Sequence, residues 1–367
     1  MSLDAEIRAA RTEIVSDGYE MSIGEIINLY RDDEIVIRPE FQRLFRWDES
    51  RKTRFLESLL LGIPIPPIFV YQRDTGVWEL IDGLQRLSTI FEFVGILRDA
   101  DGSLLPASEL QGTRFLPSLA GKRWELTSEL AVDGIGRAQQ LQIKRARLRV
   151  EILQQESDPK AKYELFQRLN TGGAQLSEQE VRNCVAVMLN KPFYDWLCAR
   201  ATDARFRTTI DQTEHAISRE SATELALRFF AFRNVKYQNG LDVHEYLDDA
   251  LMTMATDEDF DRHGEERVFS ETFELLNDAM DASAFKRWDG SQFKGKFLMS
   301  VFEVVSTGVS KNLAVIQGLA IPPEFIKARC IELWSNATFQ QNSGAGVRGT
   351  TRLANLLPMA EEFFRPS

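Results

Sequence analysis

The sequence predicts an α+β protein, with a mixed α/β domain over residues 1–170 and a mainly α-helical domain over residues 171–367. Three observations point there. The 367-residue chain exceeds one typical core and suits two. Short β-like runs alternate with helical periods before about residue 170. Beyond it the apolar spacing is almost entirely helical. No repeat period, low-complexity tract or Pro/Gly/Ser linker marks a boundary, so the boundary rests on this change of pattern.

Residues 34–37, 68–72, 77–81 and 147–153 are the strand candidates. Residues 50–61 place Phe55, Leu56, Leu59 and Leu60 on one helical face, and Gly62 stops that helix. The proline-rich stretch 63–67 cannot be helical and leads extended into the second strand; Asp74, Thr75 and Gly76 then form a hairpin turn. A helix begins at Asp82-Gly83, with Leu84, Leu87, Phe91 and Val94 as its apolar stripe. Residues 177–180, Ser-Glu-Gln-Glu, read as a capping box that opens the first helix of the second domain.

With 44% hydrophobic and 27% charged residues the chain reads as an ordinary folded protein. No run is apolar enough to span a membrane and the N-terminus is charged, so a cytoplasmic protein is expected. Cys184, Cys198 and Cys330 show no paired spacing and read as small buried hydrophobes. A formal charge of −11 argues against coating nucleic acid by bulk electrostatics and leaves that role to local basic patches.

The most suggestive element is the run 81–86, where a strand ends in Asp82, Gly83 follows, and Arg86 sits in the first helical turn. Unpaired N–H groups and the positive end of the helix dipole attract an anion there. Gly83 permits close approach, Arg86 offers a bidentate fork, and Asp82 can hold a metal ion or orient a water. The same residues also read as a plain capping box, with Asp82 as N-cap and Gln85 as its partner, and on these residues alone that reading is favoured.

Residues 38–47 alternate arginines with aromatics, and residues 38–54 carry six basic against three acidic side chains. This suits nucleotide binding but also fits a surface loop pinned by Phe41, Phe45 and Trp47. Residues 137–149 hold five basic residues and no acid; as a strand they would line up Arg145, Arg147 and Arg149 on one face, most simply a solvated one. Residues 166–173 read as a helix end and C-cap loop. Gly344, Gly346 and Gly349 with Arg348 and Arg352 form a weaker anion-loop signal before a helix capped by Thr350 or Thr351.

Together these stretches resemble the N-terminal domain family of GmrSD-type restriction endonucleases, related to the ParB and sulfiredoxin folds. Gln42-Arg43 with Trp47, the Glu57-Ser58 helix running into Gly62-Ile63-Pro64, residues 82–86, and Asn170-Thr171-Gly172 before Leu176 and Glu180 follow the family's order and approximate spacing. The resemblance covers about residues 20–185. It implies a ParB/sulfiredoxin-like first domain and a role in prokaryotic defence against phage or modified DNA. It implies that the Asp-Gly-x-Gln-Arg element handles a nucleoside triphosphate, as substrate or effector.

By the same carry-over Asp82, Gln85 and Arg86 are the catalytic set. Asp82 would hold Mg²⁺ or a similar divalent cation, and Gln42, Arg43, Trp47, Gly83, Arg168 and Asn170 would bind the nucleotide. Leu84 stands where the family usually has Gln, and continues the apolar stripe. Many relatives fuse an HNH nuclease. Here His215, His244 and His263 match no metal-binding pattern, so no intrinsic HNH activity is expected. The expected partners are the nucleotide, DNA and a separately encoded nuclease or toxin-like protein. The leading expectation is a Mg²⁺-dependent NTP hydrolase. The alternative is a non-catalytic nucleotide- or DNA-sensing scaffold for a separate nuclease. Direct DNA nicking at Asp82 sits poorly with the negative charge.

Overall fold

The computed structural model describes residues 16–37, 47–99, 101–126, 133–153, 178–212, 221–344 and 346–366. The chain divides into two compact units, Met1–Gln175 and Leu176–Ser367. It is mixed α+β, with one small mixed sheet and many helices. Among the described residues no helix is long and apolar enough to cross a membrane.

The first unit is built on a five-stranded sheet in the order β1-β5-β3-β4-β2. Its strands are β1 (Ser16–Ser22), β2 (Ile35–Val36), β3 (Ile68–Gln72), β4 (Trp78–Asp82) and β5 (Arg147–Leu153). β1 pairs antiparallel to β5 and β3 antiparallel to β4, while β3 runs parallel to β5 and β2 parallel to β4. In β5 the alternation is clean: Leu148, Val150 and Ile152 are buried, and Arg147 and Arg149 are exposed. Arg145 does not join that face, because it closes helix α4 (Arg137–Arg145).

Helix α1 (Ile23–Arg31) follows β1 directly. Ser22 caps it by accepting from the Glu25 N–H, and Ile23, Ile26, Ile27 and Tyr30 are its buried face. Helix α2 (Glu49–Leu61) opens on Asp48, whose side chain accepts from the Arg51 N–H, and ends at Gly62, with φ of 70°. α2 packs on both α4 and helix α3 (Leu84–Val94), and Tyr30 of α1 stacks on Phe91 of α3 with ring centroids 4.0 Å apart. The stripe expected on α3 shifts. Leu87, Ile90, Phe91 and Phe93 are buried, whereas Leu84 and Val94 at the two ends are half-buried.

Among the described residues the second unit is helical apart from a short hairpin, Arg287–Trp288 with Phe293–Lys294. It contains α5 (Glu178–Leu189), α6 (Lys191–Ala201), α7 (Ala204–Ile210), α8 (Ser221–Asn234), α9 (Val243–Thr256) and α10 (Arg262–Met280). α11 (Met299–Lys311), α12 (Leu313–Gln317), α13 (Pro322–Glu332), α14 (Ala337–Asn342) and α15 (Gly349–Phe363) follow. Ser177, the expected cap of α5, lies outside the described residues, as does the Cys184 side chain. Cys330 is buried and Cys198 partly buried. Phe206, Phe229, Phe230, Phe269 and Phe273 form the aromatic centre of this core.

The same unit holds a chain of buried and partly buried charges. Arg182 of α5 donates from Nε to Asp248 of α9 at 2.6 Å and lies 3.6 Å from Glu224 of α8. Glu224 accepts from Arg228 at 2.7 Å, Arg228 reaches Glu303 of α11 at 3.3 Å, and Glu303 accepts from Arg352 of α15 at 2.6 Å. Arg352 is thereby committed to Glu303 and not to an anion loop. The N-cap of α15 is Arg348, so neither Thr350 nor Thr351 opens that helix. His244 joins the network through Nδ1, which lies 2.8 Å from the Arg182 Nη2 donor and therefore accepts.

Candidate functional site

The sequence from β3 to α3 folds as a hairpin feeding a helix. A bulge between Phe69 and Val70 brings Phe69 opposite Asp82, the last residue of β4. Gly83 then takes φ of 103°, a left-handed conformation that favours glycine, and becomes the N-cap of α3. Its missing side chain matters twice, because a Cβ there would fall 2.3 Å from Cγ2 of Ile68. The glycine is thus required by the close approach of the turn to β3 as well as by its backbone angle.

This geometry dissolves the capping box expected for Asp82 and Gln85. Asp82 is in the strand, and the N-cap of α3 is Gly83, which has no side chain to cap with. The Asp82 carboxylate instead receives Nη2 of Arg86 at 2.6 Å. Nη1 of Arg86 donates to the carbonyl of Pro67 at 2.9 Å and to that of Pro66. The guanidinium therefore bridges the strand end and the extended proline segment. Burial lowers the Arg86 pKa from the ordinary arginine value, against the opposing pull of Asp82. Asp82 is about one-third exposed and Arg86 about one-eighth, with 34% and 13% of their side chains accessible.

Gln85 turns the other way. Its Oε1 accepts the Trp47 backbone N–H at 3.0 Å, which fixes the chain just before α2 against the first turn of α3. The Trp47 ring meets Phe55 edge-on at 5.7 Å. About two turns further along α3, Glu92 pairs with Lys52 of α2 at 2.7 Å, and Lys52 also holds Glu49. Burial alone would lower the Lys52 pKa, but its hydrogen bonds to Glu92 and Glu49 outweigh that and raise it.

Asp82, Gly83, Gln85, Arg86 and Trp47 are thus gathered at one strand–helix junction. Gln42, Arg43, Arg168 and Asn170 lie outside the described residues, as do Phe41, Phe45 and His215. Sequence reading overlooked the carbonyls of Pro66 and Pro67. Residues 63–67 signalled only an extended path, although two consecutive prolines also leave carbonyls that no helix or strand ladder claims. Lys52 was equally unremarkable in sequence, since its burial follows from α2 packing on α3.

As a donor set the junction offers one carboxylate, one desolvated guanidinium, one amide side chain and a helix N-terminus that opens on a glycine. Among the described residues no group of three or more His, Cys, Asp or Glu side chains could cage a metal.

No curated protein matches the chain. Residues 23–186 match the family model for the GmrSD restriction endonuclease, N-terminal domain, and this segment spans the junction, the sheet from β2 to β5 and the start of α5.

Proposed function

We propose that the Asp82–Arg86 junction handles a nucleoside triphosphate with Mg²⁺ or a similar divalent cation, and hydrolyses it within a restriction-type anti-phage defence system. The observation that carries this is the pairing of Asp82 with Arg86 at 2.6 Å beside a helix N-terminus whose N-cap is a glycine. The small mixed sheet is read as ParB/sulfiredoxin-like, with residues 1–170 as the nucleotide-handling domain and 171–367 as the domain that reads out the bound state.

In this reading the first-turn N–H groups of α3 and Arg86 neutralise phosphate charge, and Asp82 orients the attacking water or ligates the cation. A bound divalent ion would supply charge neutralisation of the phosphates. Gln85 holds Trp47 at the rim, and Gln42, Arg43, Arg168 and Asn170 complete the nucleotide contacts. Nuclease chemistry, where the system uses it, comes from a separately encoded partner, with DNA as a further ligand.

The test is phosphate release from each of the four NTPs with Mg²⁺, with and without DNA, for wild type beside Asp82→Asn, Asp82→Ala and Arg86→Ala. Loss of turnover in the Asp82 variants, with thermal midpoints near wild type, supports the hydrolase. Absence of turnover in the wild type under every condition overturns it.

A second reading, a non-catalytic nucleotide or DNA sensor, is favoured by the commitment of Arg86 to Pro66, Pro67 and Asp82. A ligand that draws Arg86 away would free the proline segment, a conformational signal without chemistry. Mg²⁺-nucleotide binding without turnover, measured by calorimetry, distinguishes the two.

A further inference from the structure

Among the described residues eight large hydrophobic side chains are exposed, and three of them, Leu61, Ile63 and Phe115, line one cleft. The cleft, of about 510 Å³, lies between α2 and the loop of residues 111–115. Phe115 is 71% exposed and Ile63 50%, so apolar surface is concentrated at one place, as at sites that bind a partner.

The walls are fixed. The Gln111 N–H donates to Oγ1 of Thr53 on α2 at 3.1 Å, and the Thr113 hydroxyl donates to the buried carboxyl of Glu57. Thr113 Oγ1 also accepts the Leu116 N–H at 2.9 Å, which closes the loop on itself. A groove held this way is organised before anything enters it, which lowers the entropy cost of binding.

Its charge is equally specific. Arg54, on the exposed side of α2, and Arg114, next to Phe115, both line the cleft, and neither guanidinium makes a hydrogen bond or ion pair among the described residues. Two uncommitted arginines beside three exposed apolar side chains select a ligand that is both anionic and greasy. Aliphatic Leu61 and Ile63 favour a peptide over a nucleobase, which would need only the aromatic ring.

We infer that the cleft between α2 and residues 111–115 is a docking groove for an acidic protein segment that inserts aliphatic or aromatic anchors between Leu61, Ile63 and Phe115 and places carboxylates on Arg54 and Arg114. It goes beyond the nucleotide reading and shares no residue with the Asp82 junction.

The experiment pans the full chain against a random twelve-residue peptide display library and measures labelled winners by fluorescence polarisation. Winners should combine Asp or Glu with Leu, Ile, Phe or Trp, and Phe115→Asp should weaken them at least about tenfold. The Arg54→Glu, Arg114→Glu double variant should do likewise and should accept the same peptides rewritten with Lys for Asp and Glu. Asp82→Ala should leave binding unchanged, which separates this surface from the nucleotide site. These side chains are exposed, so thermal midpoints should stay at the wild-type value. No enrichment, or winners indifferent to the three substitutions, overturns the inference. A twelve-nucleotide oligo-dT that binds through Phe115 and displaces the peptide overturns it in favour of a nucleic-acid surface.

Discussion

Arg86 commits one guanidinium to three oxygens on two segments, and this gives the residue a structural duty whatever ligand it meets. An ammonium group is a point donor on a shorter reach and cannot span Asp82 and two adjacent carbonyls together. Arg86→Lys is therefore expected to cost about 1–3 kcal/mol, read as a lowered urea midpoint at unchanged slope. A midpoint equal to wild type would mean that the proline segment needs no clamp. Gly83→Ala meets both the left-handed backbone and the Ile68 side chain. A loss of at least about 2 kcal/mol is expected, and adding Ile68→Ala should relieve only the steric part, since the backbone angle remains. Full recovery in the double variant would show that the angle carries no strain.

Elements that announce themselves through their own side chains were legible, and elements defined by their neighbours were not. α2 ends on Gly62, β3 and β4 flank an Asp-Thr-Gly turn, and β5 alternates apolar with charged residues, so each was readable with bounds close to those observed. β1 was missed because it is an edge strand, exposed at Asp17, Glu20 and Tyr19, with only Met21 buried as an apolar anchor. α4 was missed because Gln140 and Ile143 are its buried residues, a weak helical signature inside an arginine-rich run that reads as strand. At the candidate site the residue types and their order were visible. The partners of Asp82, Gln85 and Arg86 were not, because a capping box and a salt-bridged junction share the same spelling and differ only in the Gly83 backbone angle. The N-cap of α2, seen only in the structure, can be weighed: Asp48→Ala removes the acceptor of the Arg51 N–H and should cost about 1 kcal/mol in thermal or urea unfolding, whereas Asp48→Asn should be nearly neutral.

Over the whole helical unit, stability depends on the charge chain from Asp248 to Arg352, which ties α5, α8, α9, α11 and α15 together within a largely aromatic core. Glu303 is fully buried between two arginines, so Glu303→Gln should cost about 3–5 kcal/mol by leaving guanidinium charge uncompensated. The pH dependence follows from Glu224. Burial alone would raise its pKa, but Arg228 and Arg182 outweigh burial and bring it below the ordinary carboxylate value. A carboxyl that binds its proton less tightly when folded stabilises the fold fully above the unfolded-state pKa. That contribution falls as pH drops through the ordinary carboxylate range and is gone below the folded-state pKa. Urea midpoints of wild type and Glu224→Gln should therefore differ most at about pH 7 and converge towards about pH 3. A gap that stays constant over that range would mean that Glu224 contributes by packing alone, and a gap that widens on acidification would reverse the direction assigned to its pKa.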